Sequence, residues 1–199
     1  FNNRLGSGDF VESGNARPIP GIRFGFIDFQ DVPFTKGWLQ VQGEIAYGKT
    51  TDKEWLEDHY NYYNSFLTTD VWYHYKRFYF RVAPQQPLTV TVGMQAAAQF
   101  NGFRRTYNRG ELTGTHEEKF QLRDLWDMFA TKGQDTYFKG NHLGAWDLRA
   151  DYRLRGGDRL SAYFQWPWED GSGIGKLNGF DGIWGLEWKR KEAGGWLSG

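Results

Sequence analysis

The sequence predicts an all-β chain: an antiparallel, up-and-down β-barrel of the transmembrane type, partial in this chain, with short helices in its long loops. Three observations predict it. Apolar and polar residues alternate along several segments. The connections between those segments alternate between short and long. Aromatics reach 19% of a chain whose apolar residues make up only 39% and whose mean hydropathy is -0.70, so the chain is aromatic-rich and polar at once. A soluble core draws mainly on Leu, Ile and Val, which are sparse here. Residues 1–199 read as a single barrel domain or an internal fragment of one.

The strands follow in order. GIRFGFIDFQ (21–30) is an irregular first strand. In LQVQGEIAY (39–47), Leu39, Val41, Gly43, Ile45 and Tyr47 share one face and Gln40, Gln42, Glu44 and Ala46 the other. This is the period-two pattern of a strand with one apolar and one polar face. VWYHYKRFYFRV (71–82) is again irregular. Residues 88–100 are cleanest: Leu88, Val90, Val92, Met94, Ala96, Ala98 and Phe100 alternate with Thr89, Thr91, Gly93, Gln95, Ala97 and Gln99. Residues 145–154 set Trp146, Leu148, Ala150, Tyr152 and Leu154 against Asp147, Arg149, Asp151 and Arg153. Residues 159–166 and 181–189 complete the series, with Leu160, Ala162, Phe164, Trp166, Gly182, Trp184, Leu186 and Trp188 on the apolar side.

Short turns are expected at 31–36, at 83–87, at Arg155-Gly156-Gly157-Asp158 and at 191–195. Long loops are expected at 49–70 and 101–141, and a medium loop at 167–180. All the short turns then fall at one end, as in transmembrane barrels. Tyr47, Phe100 and Trp166 fall where apolar faces meet the long loops, with Trp38 and Trp146 near other strand ends, as an interfacial girdle requires. A soluble β-sandwich shows the same alternation with its apolar face turned inward. Loop asymmetry and aromatic placement favour the membrane reading.

Two loop helices are expected. Thr115 with Glu118 spells a capping box ahead of Leu122, Leu125, Trp126 and Phe129, which predicts a helix over 116–130. Thr51 with Glu54 hints at a shorter one. Such a helix would fold over the barrel mouth or into the lumen.

Charge adds little: Lys+Arg 24 balances Asp+Glu 24, with no basic cluster, so nucleic acid is not an expected partner. The absence of cysteine excludes disulfides, thiolate metal sites and a Cys nucleophile. No apolar run suits a spanning helix and no signal peptide is visible. A start at Phe1 without Met reads as a fragment or a processed chain.

Motifs for catalysis are weak. Gly171, Gly173, Gly175 and Lys176 match no phosphate-loop spacing. His59, His74, His116 and His142 are scattered, His116-Glu117 is not H-E-x-x-H, and there is no G-x-S-x-G. Glu169 and Asp170 beside Trp166 and Trp168, with Asp181 further on, suit a glycosidase pair, calcium ligands or a solvated loop. Sugar binding without chemistry needs only stacking rings and polar partners. No enzyme activity, cofactor or metal is expected.

The segments GMQAAAQFNG (93–102), NHLGAWDLRADYRL (141–154) and WPWEDGSGIGKLNGFDGIWGLEWK (166–189) resemble the Wzi-type capsule-assembly outer-membrane barrels of Bacteroidetes-like bacteria. The likeness spans about 88–189. It implies a barrel with more strands than the seven or eight visible here, so this chain would be an internal piece. It also implies a periplasmic helical region, which is not visible here, and a lectin-like, non-catalytic role at the bacterial outer membrane. The implied partners are outer-membrane lipid, surface polysaccharide and other envelope proteins.

Candidate polysaccharide contacts in or beside the long loops are Arg104, Arg105, Asn141, His142, Trp168, Glu169 and Asp170. Candidate lumen-lining residues are Gln40, Gln42, Glu44, Asp147, Arg149, Asp151 and Arg153. The alternatives are a passive porin lined by those polar residues, or a soluble secreted β-sandwich lectin or glycosidase.

Overall fold

The computed structural model describes residues 10–12, 18–132, 139–169 and 179–191. Its main sheet has seven strands: β1 (Gly21–Asp31), β2 (Leu39–Lys49), β4 (Trp72–Val82), β5 (Leu88–Phe100), β8 (Lys139–Arg153), β9 (Arg159–Trp168) and β10 (Ile183–Lys189). They lie side by side in chain order, and every neighbouring pair is antiparallel. The chain is therefore an all-β, up-and-down meander. β1 and β10 form its two edges and do not pair with each other among the described residues. Each strand sits where it is expected, β1 and β4 included despite their irregular patterns; β8 begins earlier than expected, at Lys139.

The long connections hold structure that alternation did not announce. β3 (Asn64–Thr69), β6 (Gly102–Asn108) and β7 (Glu111–Glu118) form a second, three-stranded sheet in the order β3-β6-β7. The chain passes between the sheets through left-handed residues: Asp70 at φ 58°, and Asn101 at 56° followed by Gly102 at 115°. Asn and Gly tolerate this region, and Asp does so better than most residues. Residues 49–70 and 101–141 are thus not plain loops.

Both helices differ from expectation in their caps. α1 (Lys53–His59) starts from Asp52, not from a Thr51–Glu54 box. α2 (Leu122–Phe129) is shorter than 116–130, because Thr115 and Glu118 belong to β7. Its capping box is made by Gln121 and Asp124 instead. Nor does α2 cover a mouth or enter a lumen. It packs on the apolar face of the main sheet, where buried Met128 meets Ala98 and Phe100. Pro167 and Trp168, expected in a loop, continue β9. Asp170, Gly171, Gly173, Gly175, Lys176 and most of the 191–195 turn lie outside the described residues.

The core sits on the unexpected side of an ordinary soluble sheet. Much of the apolar face stays open, with Phe78 45% exposed, Leu148 48%, Trp184 63% and Leu186 90%, while Ala96, Ala98, Phe100 and Trp168 toward its long-connection end are buried. The polar face is covered: Gln95 is 0% exposed, Asp147 3% and Glu44 6%.

The β8–β9 hairpin closes with Leu154 N–H donating to Asp158 O at 2.8 Å and Gly157 at φ 94°. Asp158 then ties the hairpin to β10, accepting from Lys191 N–H at 3.1 Å and from the Trp188 indole at 3.0 Å. These two donors, the Lys191 amide first, hold its carboxyl below the usual carboxylate range. A depressed folded pKa means the tie is present above the ordinary carboxylate pKa of about 4 and is lost as pH falls below it. Lys191 amide protection should therefore drop on acidification below about pH 4, and Asp158→Asn should flatten that response. Hydrogen exchange of Lys191 as a function of pH checks it.

Candidate functional site

Asp147 is the hub of the polar face. Register places Gln42, Tyr79, Gly93, Asp147 and Gln165 in one row across β2, β4, β5, β8 and β9. The Tyr79 hydroxyl donates to Asp147 Oδ2 at 2.6 Å, Gln95 Nε2 donates to the same oxygen at 3.1 Å, and Gln165 Nε2 donates to Oδ1 at 2.9 Å. Tyr79 must cross β5 to make this bond. Gly93 allows it, since a Cβ there would lie 2.3 Å from the Tyr79 ring.

Ion pairs flank the hub on both sides. Buried Glu44 bridges Arg23 at 2.6 Å and Arg77 at 2.7 Å. Arg149 bridges Asp151 at 3.1 Å and Glu187 at 2.8 Å, and the Ser161 hydroxyl donates to Asp151 at 2.5 Å. A charge leaves water only with partners, and these side chains supply them. The short segment Phe10–Glu12 lies on the same face. Val11 N–H donates to Gln95 Oε1 at 3.3 Å, and Val11 packs against Ala46, Tyr75 and Ala97. Glu12 bridges Arg23 at 2.7 Å and accepts from the Tyr73 hydroxyl at 3.1 Å.

The seven expected lumen-lining residues fall on this one face. Gln40 donates to Asp31 at 2.9 Å and Gln42 donates to Ile27 O. Glu44, Asp147, Arg149 and Asp151 form the buried network. Arg153 is exposed at the end, holding the β4–β5 turn through Pro84 O at 2.6 Å and Gln86 O at 3.0 Å. Sequence reasoning passed over Arg23, Tyr75, Arg77 and Tyr79 as members of the face. A signal was present: Tyr73, Tyr75, Arg77, Tyr79 and Arg81 are spaced by two. Counting Tyr as apolar hid it.

The expected polysaccharide contacts are spread over several elements. Arg104 and Arg105 are neighbours on β6, so they project to opposite faces of the three-stranded sheet. The Arg104 guanidinium stacks 3.7 Å over the Phe66 ring. Arg105 pairs with Glu57, which holds its guanidinium above its ordinary value. Beside it, Tyr62 packs edge-on against Tyr60 at 5.2 Å and against Tyr107 at 4.9 Å. Asn141 and His142 belong to β8. His142 is buried, with Nε2 3.1 Å from Lys132 O. Trp168 is buried over Gly144, where a Cβ would meet its ring at 2.4 Å. Glu169 is exposed just beyond β9. Asp170 lies outside the described residues. Trp168 and His142 thus come near one end of adjacent strands, while Arg104 and Arg105 belong to a different sheet.

Among the described residues no group of three His, Asp or Glu is placed to hold a metal ion. No helix among them is long and apolar enough to cross a membrane, which says nothing about strands. Comparison with protein-family models, curated proteins and solved structures finds no match.

Asp147→Ala should strand three buried donors and lower stability by about 3 kcal/mol or more, because each unsatisfied group costs about 1–3 kcal/mol. Asp147→Asn, which keeps one acceptor, should cost less. Denaturant midpoints of the two variants measure the difference.

Proposed function

We propose that the chain is a membrane-spanning section of an outer-membrane β-barrel whose long loops bind surface polysaccharide. One observation carries the membrane half: the hydrogen-bonded polar face is covered while much of the apolar face is open. In a soluble sandwich the two roles are reversed. In a barrel the apolar face meets lipid and the polar face lines the interior. Strands of 11 and 13 residues in β4 and β5 suffice to span, since about 9–11 tilted residues are needed. Lipid also demands that the β1 and β10 edges be paired by further strands, because unpaired backbone groups cost several kcal/mol each. That demand agrees with the larger barrel implied by the resemblance.

The glycan half rests on that resemblance and on the residues of the long connections. The Tyr60–Tyr62–Tyr107 rings, with Arg104 and Arg105 on the same strand as Tyr107, supply stacking surfaces and cations. The polar face itself disfavours a passive pore. Ion pairs cross it, and Phe10–Glu12 lies against it.

Leu148→Arg separates lipid from water. Facing the bilayer interior, the arginine should cost about 2–4 kcal/mol of folding stability. On a water-facing surface it should change stability by no more than about 0.5 kcal/mol. Folding of the complete protein into vesicles, followed by the gel shift between unheated and boiled samples, reads this out. A neutral Leu148→Arg, with the protein recovered without detergent, would sink the membrane reading. For the glycan half, cells carrying the complete protein should retain purified acidic capsular polysaccharide, and cells lacking it should not. Equal retention would leave the barrel standing and remove the ligand.

A further inference from the structure

α2 presents three different flanks. Met128 is buried against Ala98 and Phe100 of the main sheet. Arg123 and Asp127 form a charged flank, paired at i,i+4. Leu122, Trp126 and Phe129, spaced i, i+4 and i+7, form an apolar flank, and all three are exposed. Beside Phe129 a groove of about 570 Å³ runs on between Phe24, Phe26, Ile45, Phe78 and Met94. The exposed flank of α2 is therefore continuous with the open apolar face of the strands.

Lys76 gives an independent sign of where this helix sits. It lies on the apolar face, two residues from Phe78. Its ammonium donates to Met128 O at 3.2 Å, to Thr131 Oγ1 at 2.7 Å and to Phe129 O. These are the acceptors at the C-terminal end of α2, where a cation also meets the favourable end of the helix dipole. A lysine among lipid-facing residues needs such partners, and the docked helix provides them. Lys76 shares a row with Ala96, eight residues along β5 from Leu88, a rise of about 20 Å for a strand tilted by about 40°. A barrel's apolar band is about 25 Å tall. The C-terminal turn of α2 is then in the part of that band nearest the long connections.

We infer that α2 is an interfacial helix, lying along the outside of the strand wall with Leu122, Trp126 and Phe129 among the acyl chains of the outer leaflet. Arg123 and Asp127 then face the headgroups, the arrangement of an amphipathic helix lying in the interface plane. The inference rests on the membrane-spanning reading proposed above. Its consequence is that the outer leaflet holds the base of the long connections as well as the strands.

The absence of cysteine makes the test direct. Single variants Leu122→Cys, Trp126→Cys, Arg123→Cys, Val92→Cys and Gly156→Cys of the complete protein would each carry a nitroxide label. They would be reconstituted into phosphatidylcholine–phosphatidylglycerol vesicles. Collision with lipid-dissolved oxygen is compared with collision with a water-soluble nickel chelate. The oxygen-to-nickel ratio at positions 122 and 126 should match Val92→Cys and exceed Arg123→Cys and Gly156→Cys several-fold. Ratios at 122 and 126 equal to that at 156, with Val92→Cys still oxygen-rich, overturn the helix assignment and leave the spanning strands intact. A nickel-rich Val92→Cys overturns the membrane reading, and the interfacial helix falls with it. Leu122→Cys keeps the test open if Trp126→Cys does not fold.

Discussion

Both oxygens of the Asp147 carboxylate are committed to donors from three other strands, Tyr79 from β4, Gln95 from β5 and Gln165 from β9. The rest of the sheet depends on this kind of closure. Side chains that water would otherwise solvate are brought together on one face, and each must find a partner there. Glu44 between two arginines and Arg149 between two carboxylates solve the same problem in neighbouring rows. A polar core of this type fixes register firmly. A one-residue slip of β8 would replace Asp147 by Trp146 or Leu148 and leave three buried donors without an acceptor. The apolar face imposes a weaker demand, since an apolar side chain needs no specific partner.

Glycines shape both faces, Gly93 and Gly185 the polar one and Gly43 and Gly144 the apolar one. Four strand glycines stand directly opposite aromatic residues in the register: Gly43 with Phe78, Gly93 with Tyr79, Gly144 with Trp168 and Gly185 with Tyr163. In each case a Cβ would come within 2.9 Å of the ring. The missing side chain lets the ring lie across its neighbour strand. For Tyr79 this carries the hydroxyl as far as Asp147. Gly93 and Tyr79 therefore act together, one by leaving space and the other by using it.

The second sheet was legible only in part. Asn108-Arg109-Gly110-Glu111 is a two-residue hairpin, with Arg109 at φ 52° and Gly110 at 87°, the type I′ geometry that matches strand twist. The glycine was a visible cue. Yet FRRTYN and ELTGTHEE show no apolar alternation, and β3 joins β6 from some forty residues away. Local reading has no access to such pairing. The α2 cap failed for a related reason. Thr115 and Glu118 had the right spacing for a capping box, but pairing with β6 claimed both for β7. Gln121 took over the role, with Asp124 as its partner.

Period-two alternation by itself determined five of the seven main strands and which of their side chains share a face, and the aromatic-rich segments 21–30 and 71–82 supplied the other two. Successive Cβ atoms must point to opposite sides of an extended chain, and a short turn leaves the two strands it joins no other neighbour. Alternation also placed Gln40, Gln42, Glu44, Asp147, Arg149, Asp151 and Arg153 together. It could not say which face would be buried, because the pattern of alternation is the same in both cases. Only the assembled sheet decided that, by bringing Tyr79, Gln95 and Gln165 to one carboxylate and Lys76 to the end of α2. Hydrogen bonds between strands far apart in sequence, not the local run of residues, choose the side that closes.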